Sequence, residues 1–567
     1  MAVMVNAMHW TDNYAPGVPA TIEEPTLPLT ELIDRAAREA PNHPATTFFG
    51  RTLTYRQLAD QVSRTAEGLR LLGVRPGDRV GLVLPNCPQH VIAFYAVLRL
   101  GAVVVEHNPL YTSRELRHMF EDHAARVAIC WDAAAAKLQR QPDDIIIEHI
   151  VAVNLLDEFP ASKRLALGLP VPALRRTRAQ LTARAPGTIP WRKLLSHGTL
   201  SEGFPSPAAD DIAAIQYTSG TTALPKGAIL SHANIFADAL QARAWFPQWR
   251  QREETVYAIL PMFHVFGIAL ALTVGVLIQA RIVLFPTPDP ALIVAEAKHR
   301  PPTILGGVPP IFHAIAAEAK RRHVRLDSAR VCFSGAMSLT PETVEVWASV
   351  SDGALIEGYG MTEASPVITG NPASTAARVG SIGVPFPSTR VKVVDLDDPT
   401  REVAQGEPGE LLAQGPQIFQ GYWNNPAETE QTLLPGGWLR TGDVVTQADD
   451  GFLTIVDRKK ELIITGGFNV APTEVEAILR SHPDIVDAAV VGLPQPPGGE
   501  RVAAAVVLRP DVHFDQEALR DYCRERLARY KVPKRIVPVD ELPLSMLGKV
   551  LRSQVRDTLL AEEAPVT

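Results

Sequence analysis

Residues 79–130 read RVGLVLPNCPQHVIAFYAVLRLGAVVVEHNPLYTSRELRHMFEDHAARVAIC, and the fold turns on them. Short valine-rich runs (RVGLVLP, AVVVEH, RVAIC) alternate with segments of helical length (HVIAFYAVLRLG, SRELRHMFEDH). Strands that alternate with helices belong to a parallel sheet covered on both faces. Upstream, TYRQLADQVSRTAEGLRLLG has amphipathic helical spacing and begins the same rhythm. Pro85, Pro88 and Pro109 stand between the elements, where proline ends one segment and aims the next.

Beyond Asp211 a second alternating region runs to about Arg390, followed by a strand-rich part around VKVVDL, GELLAQG and GFLTIV. The final stretch reads EVEAILRSH and FDQEALRDYCRERLARY as helices, IVDAAVVG and VAAAVVLR as strands. Between GFLTIV and ELIIT, DRKK (Asp457–Lys460) places four consecutive charges, which suits a solvated joint better than a core strand. The predicted architecture is multidomain α/β. A large N-terminal body of stacked α/β sheets plus a strand-rich subdomain occupies 1–456, a hinge 457–460, and a small mobile α+β cap 461–567.

The 567 residues suffice for three or four structural units, and 46% hydrophobic with 21% charged residues excludes wholesale disorder and fibrous architecture. Fifty-five Lys and Arg against 62 Asp and Glu leave a net charge of −7, with no global reason to bind nucleic acid. Cys87, Cys130, Cys332 and Cys523 show neither CxxC nor paired-histidine spacing, which argues against a disulfide framework or structural zinc and fits a reducing, cytoplasmic setting. The amino terminus lacks a basic region followed by an apolar one, so it is expected to stay on the protein. The longest apolar run, VFGIALALTVGVLIQA (Val265–Ala280), falls short of the roughly 20 residues a spanning helix needs and reads as a buried helix.

Residues 161–208 break the alternation. Lys163, Arg164, Arg175, Arg176, Arg178 and Arg184 carry charge there without an acidic neighbour. One reading is a surface insertion whose leucines pack on the body while its arginines are solvated. The other is a peripheral membrane contact through 161–190, because a basic amphipathic segment is drawn to anionic head groups.

The chemistry concentrates in YTSGTTALPKG (Tyr217–Gly227), just after the apolar strand IAAIQ. Its hydroxyls Thr218, Ser219, Thr221 and Thr222, its glycines Gly220 and Gly227, and Lys226 are what a phosphate loop requires. Glycine lets backbone N–H groups curl around an anion, hydroxyls donate further hydrogen bonds, and a lysine offsets charge. A Walker A loop would need glycine where Pro225 stands and a hydroxyl where Gly227 stands, so that reading fails twice.

YTSGTTALPKG resembles the phosphate loop of the adenylate-forming superfamily of acyl-CoA synthetases, peptide-synthetase adenylation domains and luciferases. The companion motifs follow in family order: PMFHVFG (261–267), FSGAMSL (333–339), GYGMTE (358–363), TGD (441–443), DRKKELIITGGFNVAPTEVE (457–476) and LPLSMLGKVLR (542–552). RTLTYRQLADQV, GDRVGLVLPN and NPLYTSREL extend the resemblance towards the amino terminus.

The resemblance implies a site. In GYGMTE, Tyr359 would offer its ring to a purine beside Gly360, Thr362 a hydroxyl to the α-phosphate, and Glu363 a carboxylate to Mg²⁺. Asp443 would accept hydrogen bonds from the ribose hydroxyls, with Arg458 adding a contact. Gly335 would let a backbone run along adenine and acyl group. His264 would sit at the mouth of the acyl pocket as a gate, and Lys549 would bridge substrate carboxylate and α-phosphate during adenylation. Lys460 would be the hinge residue, and rotation about it would bring Gly466 and Gly467 to line a tunnel for the CoA thiol arm.

The implied reaction joins ATP, CoA and a carboxylic acid. NPLYTSREL, the 161–190 insertion and NNPAETEQTL resemble medium- and long-chain fatty acyl-CoA ligases most. Aryl-CoA ligases, enzymes that load carrier proteins, luciferase-type oxygenases and, from a different class, non-enzymatic nucleotide sensors remain as alternatives.

Overall fold

The stretch around residue 80 folds into the middle of an eight-stranded sheet in the computed structural model, which describes residues 9–218, 225–465, 468–495, 500–545 and 548–562. Arg79–Val83 runs parallel to Val103–Glu106 on one side and to Val127–Trp131 on the other. Ile212–Thr218 continues the parallel order beside Val103–Glu106. The chain then reverses: Lys226–Ser231 pairs antiparallel with Ile212–Thr218, and Gly421–Tyr422 antiparallel with Lys226–Ser231.

Helix Pro88–Arg99 is buried on every side from Pro88 to Leu98, which explains why its sequence shows no polar face. It lies between this sheet and a nine-stranded one in which Ala354–Gly360, Val331–Ser334, Ile304–Gly307, Thr255–Ala258, Arg281–Leu284 and Pro44–Phe48 are parallel neighbours. Antiparallel strands close both edges. Asn86 ties the layers together: its amide donates to the Ala258 and Leu260 carbonyls (2.9 and 2.8 Å) and accepts from Met262 N–H (2.8 Å). Such full satisfaction is what a buried amide needs.

The apolar run after His264 is a buried helix, as expected, with a wider π-helical turn over Ile268–Val274. Among the described residues no helix is long and apolar enough to cross a membrane. All four cysteines are buried free thiols.

The basic insertion forms two helices, Ala161–Leu167 and Pro172–Leu181. The expectation that its leucines pack on the body holds for Leu167 but fails for Leu165 and Leu169, which are 75% and 52% exposed. Alternate positions along a helix face opposite ways, so burying Leu167 turns Leu165 outward, and Pro170 and Pro172 stop the helix before it can form a wider apolar stripe.

The chain divides into two compact units, Met1–Arg390 with Gln414–Leu439, and Val391–Ala413 with Arg440–Thr567. In the second unit, Arg390–Val394, Gly409–Gln414, Trp438–Gln447 and Leu453–Arg458 belong to one sheet. A three-stranded layer of Ile485–Pro494, Glu500–Leu508 and Arg535–Pro538 follows. Val490, Val502 and Ala504 pack beneath Val475 and Leu479 on one face of this layer, while Val491, Ala503 and Ala505 meet Val555 and Leu559 on the other. Burial of both faces is why these strands read as continuous apolar runs. The expectation that Asp457–Lys460 is a solvated joint and not a strand fails for its first half: Asp457 and Arg458 end the strand Leu453–Arg458, paired with Val444 and Asp443, and Asp457 is buried, while Lys459 and Lys460 lie in the turn beyond.

Candidate active site

In the first unit, Thr218 and Lys226 face each other across the antiparallel ladder and form the two posts of the phosphate-type loop. Ser219, Gly220, Thr221 and Thr222 lie outside the described residues. Gly227 is required by packing: a Cβ there would stand 2.7 Å from Ile215 Cγ2 and 3.4 Å from the Tyr217 ring and from Trp423 Cβ. Trp423 N–H also donates to the Gly227 carbonyl (2.7 Å).

Lys226 pairs with Glu428, and its ammonium lies 5.4 Å from the centroid of the Tyr422 ring. Tyr422 in turn donates its hydroxyl to Glu363 Oε1 at 2.7 Å. Burial, then the Glu363 carboxylate, push the Tyr422 phenol well above its ordinary range, so it remains a donor. Tyr422 and Glu428 thus join the expected phosphate lysine to the expected metal carboxylate, and neither belongs to the motifs that imply the site. Glu428 lies within NNPAETEQTL, which above serves only to compare acid classes, and Tyr422 stands two residues before it.

Glu363 is buried, and its own N-terminal neighbours are positioned by a sharp turn. The ladder of strand Ala354–Gly360 is bulged between Tyr359 and Gly360, and Met361 N–H donates to the Pro366 carbonyl (2.9 Å). A Cβ at Gly360 would fall 1.9 Å from that carbonyl oxygen, so the turn needs glycine there. Tyr359 is half-buried, and Thr362 beyond the turn is partly exposed.

Three motifs meet at Gly335. Its N–H donates to the Gly307 carbonyl (3.2 Å), and a Cβ on it would stand 3.0 Å from the Phe266 ring and 3.4 Å from the Gly358 carbonyl oxygen. FSGAMSL therefore lies against PMFHVFG and GYGMTE at van der Waals distance. His264, half-buried, accepts from Phe266 N–H (3.3 Å) at the start of the apolar helix, and burial pushes its pKa down to about 4. The imidazole is neutral at pH 7.

Glu357, which the sequence analysis passed over, pairs in register with Ser334 and accepts from Leu339 N–H (3.1 Å), pinning the far end of FSGAMSL. Burial pushes its carboxyl up from 4.5 to about 7. The folded protein therefore holds a proton that the unfolded chain releases. The associated stability is fully present below pH 4.5 and is lost as pH rises through 7, amounting to about 3 kcal/mol. Glu357→Gln, which keeps an acceptor for Leu339 N–H, is expected to match the native protein near pH 4.5 and exceed its stability by up to about 3 kcal/mol at pH 8. Thermal unfolding at the two pH values measures this; no gain at pH 8 would rule out a charge cost at Glu357.

In the second unit, Asp443 is buried directly across the ladder from Arg458, whose Nε donates to Asp443 Oδ1 (3.1 Å). Lys549 lies within electrostatic reach of both. Burial and Arg458 lower its pKa, while Glu461 and Asp443 act in the opposite sense. The lysine occupies a tight turn in which Ser545 N–H donates to its carbonyl (2.7 Å) and its own N–H donates to Ser545 Oγ (3.0 Å). Gly548 at φ +78° makes that turn, a conformation side-chain-bearing residues rarely adopt.

Arg552, three residues on, is held by Glu476 through two 2.9 Å hydrogen bonds and by a close pair with Glu461, with Asp457 Oδ1 at 3.6 Å. Asp457 also accepts from Thr473 N–H and hydroxyl (2.9 and 2.8 Å). This clamp joins the first residue of DRKK to the strand of chain that carries Lys549. Lys460 is exposed in the single turn Lys459–Glu461; Gly466 and Gly467 lie outside the described residues.

One unit built on parallel sheets with a hydroxyl-and-lysine hairpin, and a smaller unit presenting a lysine beside a buried carboxylate, define an adenylate-forming enzyme. The chain belongs to the AMP-binding enzyme family, which it matches over residues 33–423, with the AMP-binding enzyme C-terminal domain matching 474–549. It is 36% identical over 554 residues to the long-chain-fatty-acid–CoA ligase of Salmonella typhimurium, spanning 97% of this chain and 98% of that one. The feruloyl-CoA synthase of an Amycolatopsis species is 34% identical over 92% of this chain and 97% of its own. Among solved structures, the anthranilate CoA ligase AuaEII in complex with anthranoyl-AMP superposes with a TM-score of 0.81 at 25% identity, covering 96% of this chain and 99% of that one. The resemblance read from the motifs is thereby borne out, as is the mixed α/β architecture with a large N-terminal and a small C-terminal part.

Proposed function

We propose that this AMP-binding enzyme activates a medium- or long-chain fatty acid as its CoA thioester. The observation that carries the acid class is the nearly end-to-end likeness to long-chain-fatty-acid–CoA ligases. In the first step the carboxylate attacks the α-phosphorus of ATP and pyrophosphate leaves with its electron pair, giving an acyl-adenylate. In the second, the CoA thiol loses its proton and attacks the acyl carbonyl, and AMP departs.

The residues divide this work. Thr218 and Lys226 would receive the phosphates, which must take the Lys226 ammonium from Glu428. Thr362 would meet the α-phosphate. Tyr359, with Gly360 and the Gly335 backbone, would flank the adenine, and Asp443 with Arg458 the ribose. Glu363 is a hard-oxygen donor oriented by Tyr422 and would be the residue to hold Mg²⁺. When bound, that ion would neutralise charge on the phosphate oxygens. Lys549 would do the same for the forming acyl phosphate from its place beside Asp443. Rotation about Lys460 would then withdraw Lys549 and admit the thiol past Gly466 and Gly467. His264 would gate the acyl group.

Pyrophosphate release measured over a panel of acids from octanoate to palmitate and over benzoate and ferulate, with and without CoA, tests the assignment. Turnover with the fatty acids that requires CoA is expected. Turnover confined to the aromatic acids would overturn the fatty-acid reading in favour of the aryl-CoA reading that the feruloyl-CoA synthase likeness favours.

A further inference from the structure

Residues 161–190 carry six lysines and arginines and neither aspartate nor glutamate, in a chain of net charge −7. They also hold three exposed large apolar side chains within seven residues: Leu165, Leu169 and Val171, at 75%, 52% and 45%. All three fall at or beside the connection between helices Ala161–Leu167 and Pro172–Leu181. The second helix buries none of its residues, and its Arg175, Arg176 and Arg178 are exposed and make no ion pair among the described residues. On the first helix, Arg164 faces an open depression where Arg51 and Arg192 are paired with Glu158 and Asp157 (3.4 Å each), so the unpaired arginine cluster of the insertion lies on its second helix.

Water is a poor solvent for two leucines and a valine exposed so close together, and nothing acidic within the insertion offsets its charge. An apolar tip flanked by cations is the pattern that enters the boundary between head groups and acyl chains of an anionic bilayer. A protein partner would have to offer a pocket shaped to the tip, whereas a bilayer needs no such complementarity. We infer that residues 161–190 dock the enzyme on anionic membrane surfaces, with Leu165, Leu169 and Val171 entering the acyl boundary and Arg175, Arg176 and Arg178 meeting lipid phosphates. The inference stands on charge and exposure and does not depend on which acid is activated.

Flotation of the full-length protein with vesicles of phosphatidylcholine alone, or with about one lipid in three replaced by phosphatidylglycerol, tests it without any substrate. The native protein is expected to float with the anionic vesicles and not with the neutral ones. Combining Arg175→Gln, Arg176→Gln and Arg178→Gln is expected to lower partitioning by about a hundredfold. Leu165→Ser with Leu169→Ser should also lower it, and both variants should retain native pyrophosphate release with octanoate in the absence of vesicles. Native protein that stays behind with anionic vesicles, or an arginine variant that floats as well as native, overturns the inference. Retention on immobilised poly-glutamate without vesicle binding would assign the surface to an acidic polypeptide and overturn it equally.

Discussion

Lys549→Ala is expected to slow acyl-adenylate formation by about a thousandfold while thioester formation from supplied acyl-adenylate and CoA stays within a few-fold of native. An ammonium that meets charge only as it develops on the reacting phosphate lowers the barrier of that step and no other. The turn made by Gly548 and Ser545 belongs to the backbone and survives the substitution, so the loss reports the cation itself. Separate assays of the two half-reactions, pyrophosphate exchange and thioester release, read the split. Equal loss in both would mean that Lys549 supports the whole site and not one chemical step. The opposite pattern is expected of Lys460→Pro, which stiffens the proposed hinge: adenylation retained, thioester formation lost.

Arg552→Met is expected to destabilise the second unit by about 3–5 kcal/mol and to reduce adenylation along with it. Methionine keeps most of the arginine's length but leaves Glu476, Glu461 and Asp457 facing one another, and Glu476 and Asp457 are almost wholly buried. Removing one partner of a buried charged group costs far more than the pair itself contributes, because the remaining carboxylates are stranded in low dielectric. The guanidinium stays charged throughout the accessible pH range: burial works to lower its pKa, but Glu476, Glu461 and Asp457 together hold it above the ordinary value. Glu476 cannot turn away to water, since it also accepts from Val490 N–H (2.9 Å) inside the sheet. Thermal unfolding followed by a probe in the second unit measures the loss. A native-like transition would show the clamp to be neutral. Arg552→Met with Glu476→Gln should recover part of the stability if stranded charge is the cause.

Lys226 and Lys549 differ in how much of their setting could be foreseen. The hairpin around Lys226 follows from an apolar strand, a run of hydroxyls and glycines, and a second strand, all adjacent in the chain. Its glycine at 227 was read as a phosphate-loop device, yet in the fold it makes room for Ile215, Tyr217 and Trp423. The partners of Lys226 come from some 200 residues away, and no local pattern announces them. For Lys549 the surprise is Arg552, which in sequence is an unremarked basic residue at the start of a helix and in the fold is the centre of a four-residue charge cluster. The insertion at 161–190 shows a further limit: its charge and leucine content were plain, but whether those leucines face in or out depends on where the two prolines let each helix stop.

Local sequence carries the alternation of strands and helices and the order of the phosphate, adenine and lysine motifs. These depend on residue spacing of two or about 3.6 and on side-chain types at neighbouring positions, and such information is local. The tertiary fold alone brings Tyr422 and Glu428 between Lys226 and Glu363, sets Glu357 against the FSGAMSL loop, and gathers Asp457, Glu461 and Glu476 around Arg552. A buried polar group must find a partner wherever the topology brings one, and which distant residue that is depends on sheet order and strand register, which short-range patterns do not contain.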